Sequence, residues 1–188
     1  MTPGDDYQVL VVDDHSDFAD LMGEWIERYD SSYDVEIAYS GEEACEKVNE
    51  DTDLVFLDRD MPGTTGDEVL ERMREEGYDS RVVMVTGLEP TENIAEMDFD
   101  DYLLKTVDEY QVADKLERMK SLDEVDEELR ELYSLTQKIV SLQMSSEVDT
   151  PSSEAYRDLV ERRDRLREDL GEDMESIDFD TAIRLLES

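Results

Sequence analysis

The sequence predicts an α/β fold: a doubly wound, five-stranded parallel sheet that continues into a C-terminal helical hairpin or coiled-coil extension. Three observations predict it. Short apolar runs recur along the first two-thirds of the chain, as strands covered on both faces do. Segments with apolar residues at three- and four-residue spacing separate them. From about residue 120 the alternation stops and only the helical spacing remains. Strands alternating with helices at this rhythm form βα units around a parallel sheet.

The first strand is Tyr7-Gln8-Val9-Leu10-Val11-Val12, ending at Asp13-Asp14. Phe18, Leu21, Met22, Trp25 and Ile26 then share one side of a helix. Val35-Glu36-Ile37-Ala38 is the second strand, and Ser40 caps a helix with Ala44, Cys45 and Val48 as its buried stripe. Leu54-Val55-Phe56-Leu57 is a third strand, ending at Asp58; Met61-Pro62-Gly63 turns the chain. Val69, Leu70 and Met73 mark a helix that ends before Gly77. Arg81-Val82-Val83-Met84-Val85 is the fourth strand, closed by Thr86-Gly87, and a short helix is expected over 90–97. Asp101-Tyr102-Leu103-Leu104 is the fifth strand, ending at Lys105, and a last helix carries Tyr110, Val112, Ala113, Leu116 and Met119.

In open sheets of this kind, ligands bind outside the C-terminal strand ends. Asp13 and Asp14 stand at the end of strand one, Asp58 of strand three, Thr86 of strand four and Lys105 of strand five. Three carboxylates in a small space repel one another unless a cation joins them, and oxygen donors of this type suit Mg²⁺. Asp13 and Asp14 are placed to hold the ion, with Asp58 both ligand and nucleophile toward a phosphoryl group. The Lys105 ammonium would neutralise phosphoryl oxygens and the Thr86 hydroxyl would donate to one. Gly87 is read as leaving room there and offering its N–H. A Mg²⁺-dependent phosphatase-like reaction shares this chemistry, but the chain shows no large cap region. His15, the single histidine, follows the acidic pair and is read as a residue of the site rim without a catalytic role.

These segments resemble a response regulator receiver domain of flavodoxin-like fold. The matching stretches are Val11-Val12-Asp13-Asp14, Leu57-Asp58-Arg59-Asp60-Met61-Pro62-Gly63, Val85-Thr86-Gly87 and Asp101-Tyr102-Leu103-Leu104-Lys105. The resemblance implies phosphotransfer to Asp58 from the phosphohistidine of a cognate histidine kinase. It implies that Asp13, Asp14 and the backbone carbonyl of Asp60 serve the metal, and that Thr86 shifts while Tyr102 changes rotamer as the switch. The pattern departs where proline usually follows the lysine: here Lys105-Thr106 is expected as either a trans bond with an altered loop or a strained cis bond.

Beyond the β-α region, Leu122, Val125, Leu129, Leu132, Leu135, Ile139 and Leu142 mark an amphipathic helix that could run on from the preceding one. Asp149-Thr150-Pro151-Ser152-Ser153 breaks it, Tyr156 to Leu170 form a second helix stopped by Gly171, and Ile177 to Leu186 suggest a terminal element. Two stripes of similar length predict an antiparallel hairpin. By size, acidity and position this tail resembles the HalX domain of haloarchaeal proteins. The readings divide the chain into a receiver domain at 5–119 and an acidic helical domain at 120–188.

Asp plus Glu number 55 against 18 Lys plus Arg, a formal net charge of −37. The acids are spread among periodic apolar residues, so they describe a folded acidic surface suited to a salt-rich cytoplasm, where salt screens the repulsion. Such a surface disfavours simple attraction to DNA. Arg157, Arg162, Arg163, Arg165 and Arg167 are interleaved with acids, so ion pairing accounts for much of that segment. No apolar run suits membrane insertion, the start lacks a secretory pattern, and one cysteine, Cys45, excludes an internal disulfide; a cytoplasmic location is expected. The leading expectation is a phosphorylation-controlled regulator acting through a downstream protein partner or a homodimer. The alternatives are direct DNA contact by the tail and a phosphate sink.

Overall fold

The computed structural model describes residues 6–171. Five strands form one sheet: β1 (Tyr7–Val12), β2 (Tyr33–Ala38), β3 (Leu54–Leu57), β4 (Arg81–Thr86) and β5 (Asp101–Leu104), in the order β2-β1-β3-β4-β5. The β1–β2, β1–β3 and β3–β4 pairings are parallel. The predicted α/β architecture is the one observed. The order reverses between β1 and β3, which places the ligand-binding crevice of such sheets at the ends of those two strands. Every residue of β3 and β4 is buried, as the apolar runs Leu54–Leu57 and Val82–Val85 require, with Arg81 and Thr86 buried at the ends of β4, whereas β2 at the edge alternates.

α1 (Ser16–Tyr29), α2 (Gly41–Lys47), α3 (Gly66–Glu75) and α4 (Glu109–Leu122) accompany the strands. The buried face of α1 is Ala19, Met22, Gly23 and Ile26. Leu21, expected on that face, is exposed, because the stripe is centred on two small residues that apolar counting passes over. A Cβ on Gly23 would stand 3.0 Å from Ile37 Cδ1, so the small residue sets how near α1 approaches β2. Ser40 caps α2 by accepting the Glu43 N–H, as expected. Cys45 is half-buried rather than a full core residue. α3 ends before Gly77, whose positive φ of 82° closes the helix in a conformation glycine adopts without strain.

The described residues form two compact units: one from 6–88 with Leu103–Leu116, the other from Glu89–Tyr102 with 117–171. In the second unit, the helix expected over 90–97 is only a 3-10 turn at Glu92–Ala95, with Pro90 outside it. α5 (Glu127–Met144) and α6 (Glu154–Gly171) belong to the same unit. Gln143 donates to the Tyr156 hydroxyl near the connecting loop, Arg162 donates to Glu131, and Leu129 and Leu132 meet Leu170 and Leu166 at the far end. That register is an antiparallel hairpin, as predicted. α5 is not continuous with α4: residues 123–126 interrupt them, and Arg130 donates to the carbonyls of Leu122 and Asp123 at the break. The element expected at 177–186 lies outside the described residues.

α5 has a second buried face that its leucine stripe does not announce. Tyr133, Gln137 and Lys138 are buried alongside Leu132, Leu135, Ile139 and Leu142. Ser134 Oγ donates to the Phe99 carbonyl at 2.7 Å, Lys138 Nζ to the Met97 carbonyl at 2.6 Å, and Ser145 Oγ to the Pro90 carbonyl at 2.6 Å. The Tyr133 hydroxyl donates to the buried Asp101 carboxylate, and the Lys138 ammonium lies 5.0 Å from the centre of the Phe99 ring. Carbonyls that a regular helix would pair internally are here met by α5 side chains, which is why a non-helical segment can be partly buried.

Candidate functional site

The site is built at the C-terminal edge of β1 and β3. The Asp58 N–H donates to the Val12 carbonyl at 2.9 Å and the Asp13 N–H to the Ala38 carbonyl at 3.1 Å. Both acids are therefore fixed by sheet-type bonds that run one residue past the strands. Asp13 and Asp58 are each 2% exposed, Asp14 is half-buried, and carboxylate oxygens of all three lie within 4.8 Å of one another and of a His15 ring nitrogen. Lys105 Nζ donates to Asp58 Oδ2 at 2.6 Å and to Asp13 Oδ1 at 3.0 Å, with Phe18 beneath it at 5.5 Å. Of the five residues predicted at the ends of four strands, Asp13, Asp14, Asp58 and Lys105 share one cluster.

Electrostatics follow from that burial. Removal from water is the largest influence on Asp13 and pushes its carboxyl above the usual range, while hydrogen bonds from Lys105 and the His15 N–H oppose it without cancelling it. Burial alone would lower Lys105, but its hydrogen bonds to Asp58 and Asp13 outweigh that and hold the ammonium above its ordinary value. Lys105 is therefore a fixed positive charge facing the candidate acceptor. Three convergent carboxylates, with Asp14 open to water, form a donor set that fits a hard divalent cation keeping part of its hydration.

Thr86 is fully buried at the end of β4; its carbonyl accepts the Lys105 N–H at 2.9 Å and its hydroxyl accepts the Leu88 N–H at 3.3 Å. Asp60 lies in the turn after Asp58, its N–H 3.3 Å from Asp58 Oδ1. Tyr102 is only 8% exposed, and its ring lies 6.0 Å from that of Phe99. His15 caps α1 at the rim, its ring 3.1 Å from Asp14 and well exposed. No described peptide bond is cis, so Lys105-Thr106 takes the trans alternative. A Cβ at Gly87 would meet no protein atom within 4 Å, so packing within the protein does not itself demand glycine there.

Several residues that shape the site were not foreseen. A Cβ on Gly66 would lie 2.0 Å from the Asp58 carbonyl oxygen, so α3 starts against the backbone of Asp58. Thr65 and Glu68 form a reciprocal capping box at that start, which Thr-x-x-Glu spacing could have revealed. Arg59 makes a bidentate pair with Asp67, both bonds at 2.8 Å, and ties the turn after Asp58 to the first turn of α3.

Residues 9–117 match the response regulator receiver domain and residues 121–186 the HalX domain. The chain belongs to the response regulator receiver family, here with a HalX domain following the receiver. It has the receiver architecture and the Asp-rich acidic cluster typical of phosphoaccepting response regulators. A Haloferax volcanii protein named "Putative transcriptional regulator" is 40% identical over 159 residues, covering 85% of this chain and 27% of that one. The transcriptional regulatory protein CutR of Streptomyces coelicolor is 35% identical over 102 residues, 52% of this chain and 46% of that one. The chain thus spans about a quarter to a half of these relatives. Among solved structures, a CheY-like receiver from Methanospirillum hungatei is 26% identical with a TM-score of 0.55, covering 63% of this chain and 97% of that one. TrrA of Thermotoga maritima, solved in complex with Mg²⁺-BeF, is 28% identical with a TM-score of 0.51, covering 60% and 98%. Among the described residues no helix is long and apolar enough to cross a membrane.

Proposed function

We propose that this protein is a two-component response regulator that accepts a phosphoryl group on Asp58 from a histidine kinase, with Mg²⁺, in the cytoplasm. The observation that carries the reading is the Lys105 ammonium at 2.6 Å from Asp58, beside the acidic pair Asp13 and Asp14. An Asp58 carboxylate oxygen attacks phosphorus as the bond to the kinase histidine nitrogen breaks, giving an acyl phosphate. Bound Mg²⁺ would be held by Asp13, Asp14, Asp58 and the backbone carbonyl of Asp60, and supplies charge neutralisation of the phosphoryl oxygens. Lys105 turns its charge from the carboxylates to the phosphoryl group, and the Thr86 hydroxyl donates to one phosphoryl oxygen. Thr86 and Tyr102 then carry the change toward the helical tail and on to protein contacts, a second copy of the chain among them.

Direct DNA contact by the tail is the second reading, favoured by the name of the Haloferax volcanii relative. Against it, Arg162, Arg163 and Arg165 pair with Glu131, Asp164 and Glu161. The decisive experiment is phosphorylation in molar KCl. Asp58→Asn is expected to abolish base-labile phosphate incorporation while leaving the fold intact; incorporation of the same label in the variant would overturn the assignment.

A further inference from the structure

The turn between Asp58 and α3 has no regular structure, and its hydrogen bonds come from two places. At its foot, the Asp60 N–H reaches Asp58 Oδ1 at 3.3 Å and the Gly66 N–H donates to the Arg59 carbonyl at 3.1 Å. Farther out, the partner is Glu42, in the first turn of α2. Its Oε1 accepts both the Thr64 N–H at 3.1 Å and the Thr64 hydroxyl at 2.9 Å. Among the described residues, these are the hydrogen bonds that tie 60–64 to another secondary-structure element. Two glycines let α2 come this near. A Cβ on Gly41 would stand 2.1 Å from the Thr64 carbonyl oxygen, and one on Gly63 would stand 2.7 Å from Glu42 Oε1. Gly63 also has a φ of 80°, which side-chain-bearing residues rarely adopt. Hydrogen bonds from its own N–H and from Thr64 hold the Glu42 carboxyl below its usual range, so it meets the turn as a carboxylate at neutral pH.

The clamp bears on the one metal donor that no strand aims. Of the groups assigned above to Mg²⁺, Asp13, Asp14 and Asp58 stand at or next to strand ends, whereas the Asp60 carbonyl belongs to the turn. The Asp60 N–H bond fixes that carbonyl poorly, because it is long and its acceptor is a carboxylate that the ion itself would engage. Between Asp60 and Thr64, Met61 is buried and Pro62 has its φ locked by its ring, so anchoring Thr64 restricts the whole stretch. A turn already ordered before the ion arrives adds no ordering cost to binding, whereas a free one does.

We propose that Glu42 is a positioning residue for the metal: its two bonds to Thr64 keep the turn after Asp58 in the arrangement in which the Asp60 carbonyl serves Mg²⁺. The proposal rests on the Mg²⁺ and acceptor reading above.

The test uses the full chain in molar KCl, which screens long-range charge effects. Titration calorimetry compares the Mg²⁺ affinity of the unaltered protein with that of E42A and E42Q; glutamine keeps an oxygen acceptor at the same reach without the charge. E42A is expected to bind Mg²⁺ about fivefold more weakly, the scale of one hydrogen-bond contribution, and to exchange its amides over 63–65 faster. E42Q is expected to recover most of the affinity. A second titration, with beryllofluoride as the phosphoryl mimic, separates positioning from general damage. At saturating Mg²⁺ the ion itself orders the turn, so E42A is expected to bind the mimic as the unaltered protein does. Equal Mg²⁺ affinity in E42A, E42Q no better than E42A, or mimic binding by E42A still weakened at saturating Mg²⁺ would each overturn the positioning role and leave the acceptor reading standing. No Mg²⁺ binding by the unaltered protein would overturn both.

Discussion

The edge of the sheet that holds Asp58 and the segment Glu89–Tyr102 with α5 are built on different principles. At the sheet edge, Asp13, Asp58 and Lys105 are each the first residue after a strand, so the strand itself aims them. Along Glu89–Tyr102, the backbone is irregular, and its carbonyls at Pro90, Met97 and Phe99 are met by Ser145, Lys138 and Ser134 from α5, more than thirty residues away. The first region carries its order within each strand. The second borrows its order from another part of the chain. A region of the second kind is the easier one to rearrange, because it loses hydrogen bonds one by one rather than a whole ladder.

The largest stability effect is expected at the sheet edge. Gly66→Ala places a methyl group 2.0 Å from the Asp58 carbonyl oxygen, a backbone atom that cannot turn aside. The expected loss is about 2–3 kcal/mol by chemical denaturation, the range for overpacking, with mimic binding weakened as the acceptor turn shifts. Near-neutral stability would mean that the α3 start moves freely against the acceptor. The borrowed order of the second region is tested by Tyr133→Phe, which removes one donor from the buried Asp101 carboxylate. The expected cost is about 1–3 kcal/mol. Asp58 phosphorylation should persist in this variant, since Tyr133 belongs to the other compact unit; loss of both would erase the distinction between the regions. Arg162→Ala breaks an exposed pair with Glu131 and should change stability by less than about 1 kcal/mol. A much larger effect would show that charge, rather than the Leu129, Leu132 and Leu170 contacts, sets the hairpin register.

The sequence by itself determined the sheet and the residues at its C-terminal edge. Val9–Val12, Leu54–Leu57 and Val82–Val85 are legible because a strand covered on both faces needs an unbroken apolar run, and the residue at which the run stops is placed by the same geometry. Asp13, Asp58 and Lys105 could be picked out for that reason alone. The helical hairpin was legible from its leucine spacing. Only the tertiary structure decided the rest. Gly23 outranks Leu21 on α1 because the gap over Ile37 of β2 admits only a small residue there. Gly66 and the Arg59–Asp67 pair hold the acceptor turn through contacts whose partners no local pattern specifies. The expected helix over 90–97 shrank to one 3-10 turn, and Ser134, Lys138 and Ser145, which look like ordinary polar residues of an amphipathic helix, became its hydrogen-bond donors. Local sequence sets backbone periodicity and the side a residue faces; it does not say which distant donor will satisfy a carbonyl that the local backbone leaves open.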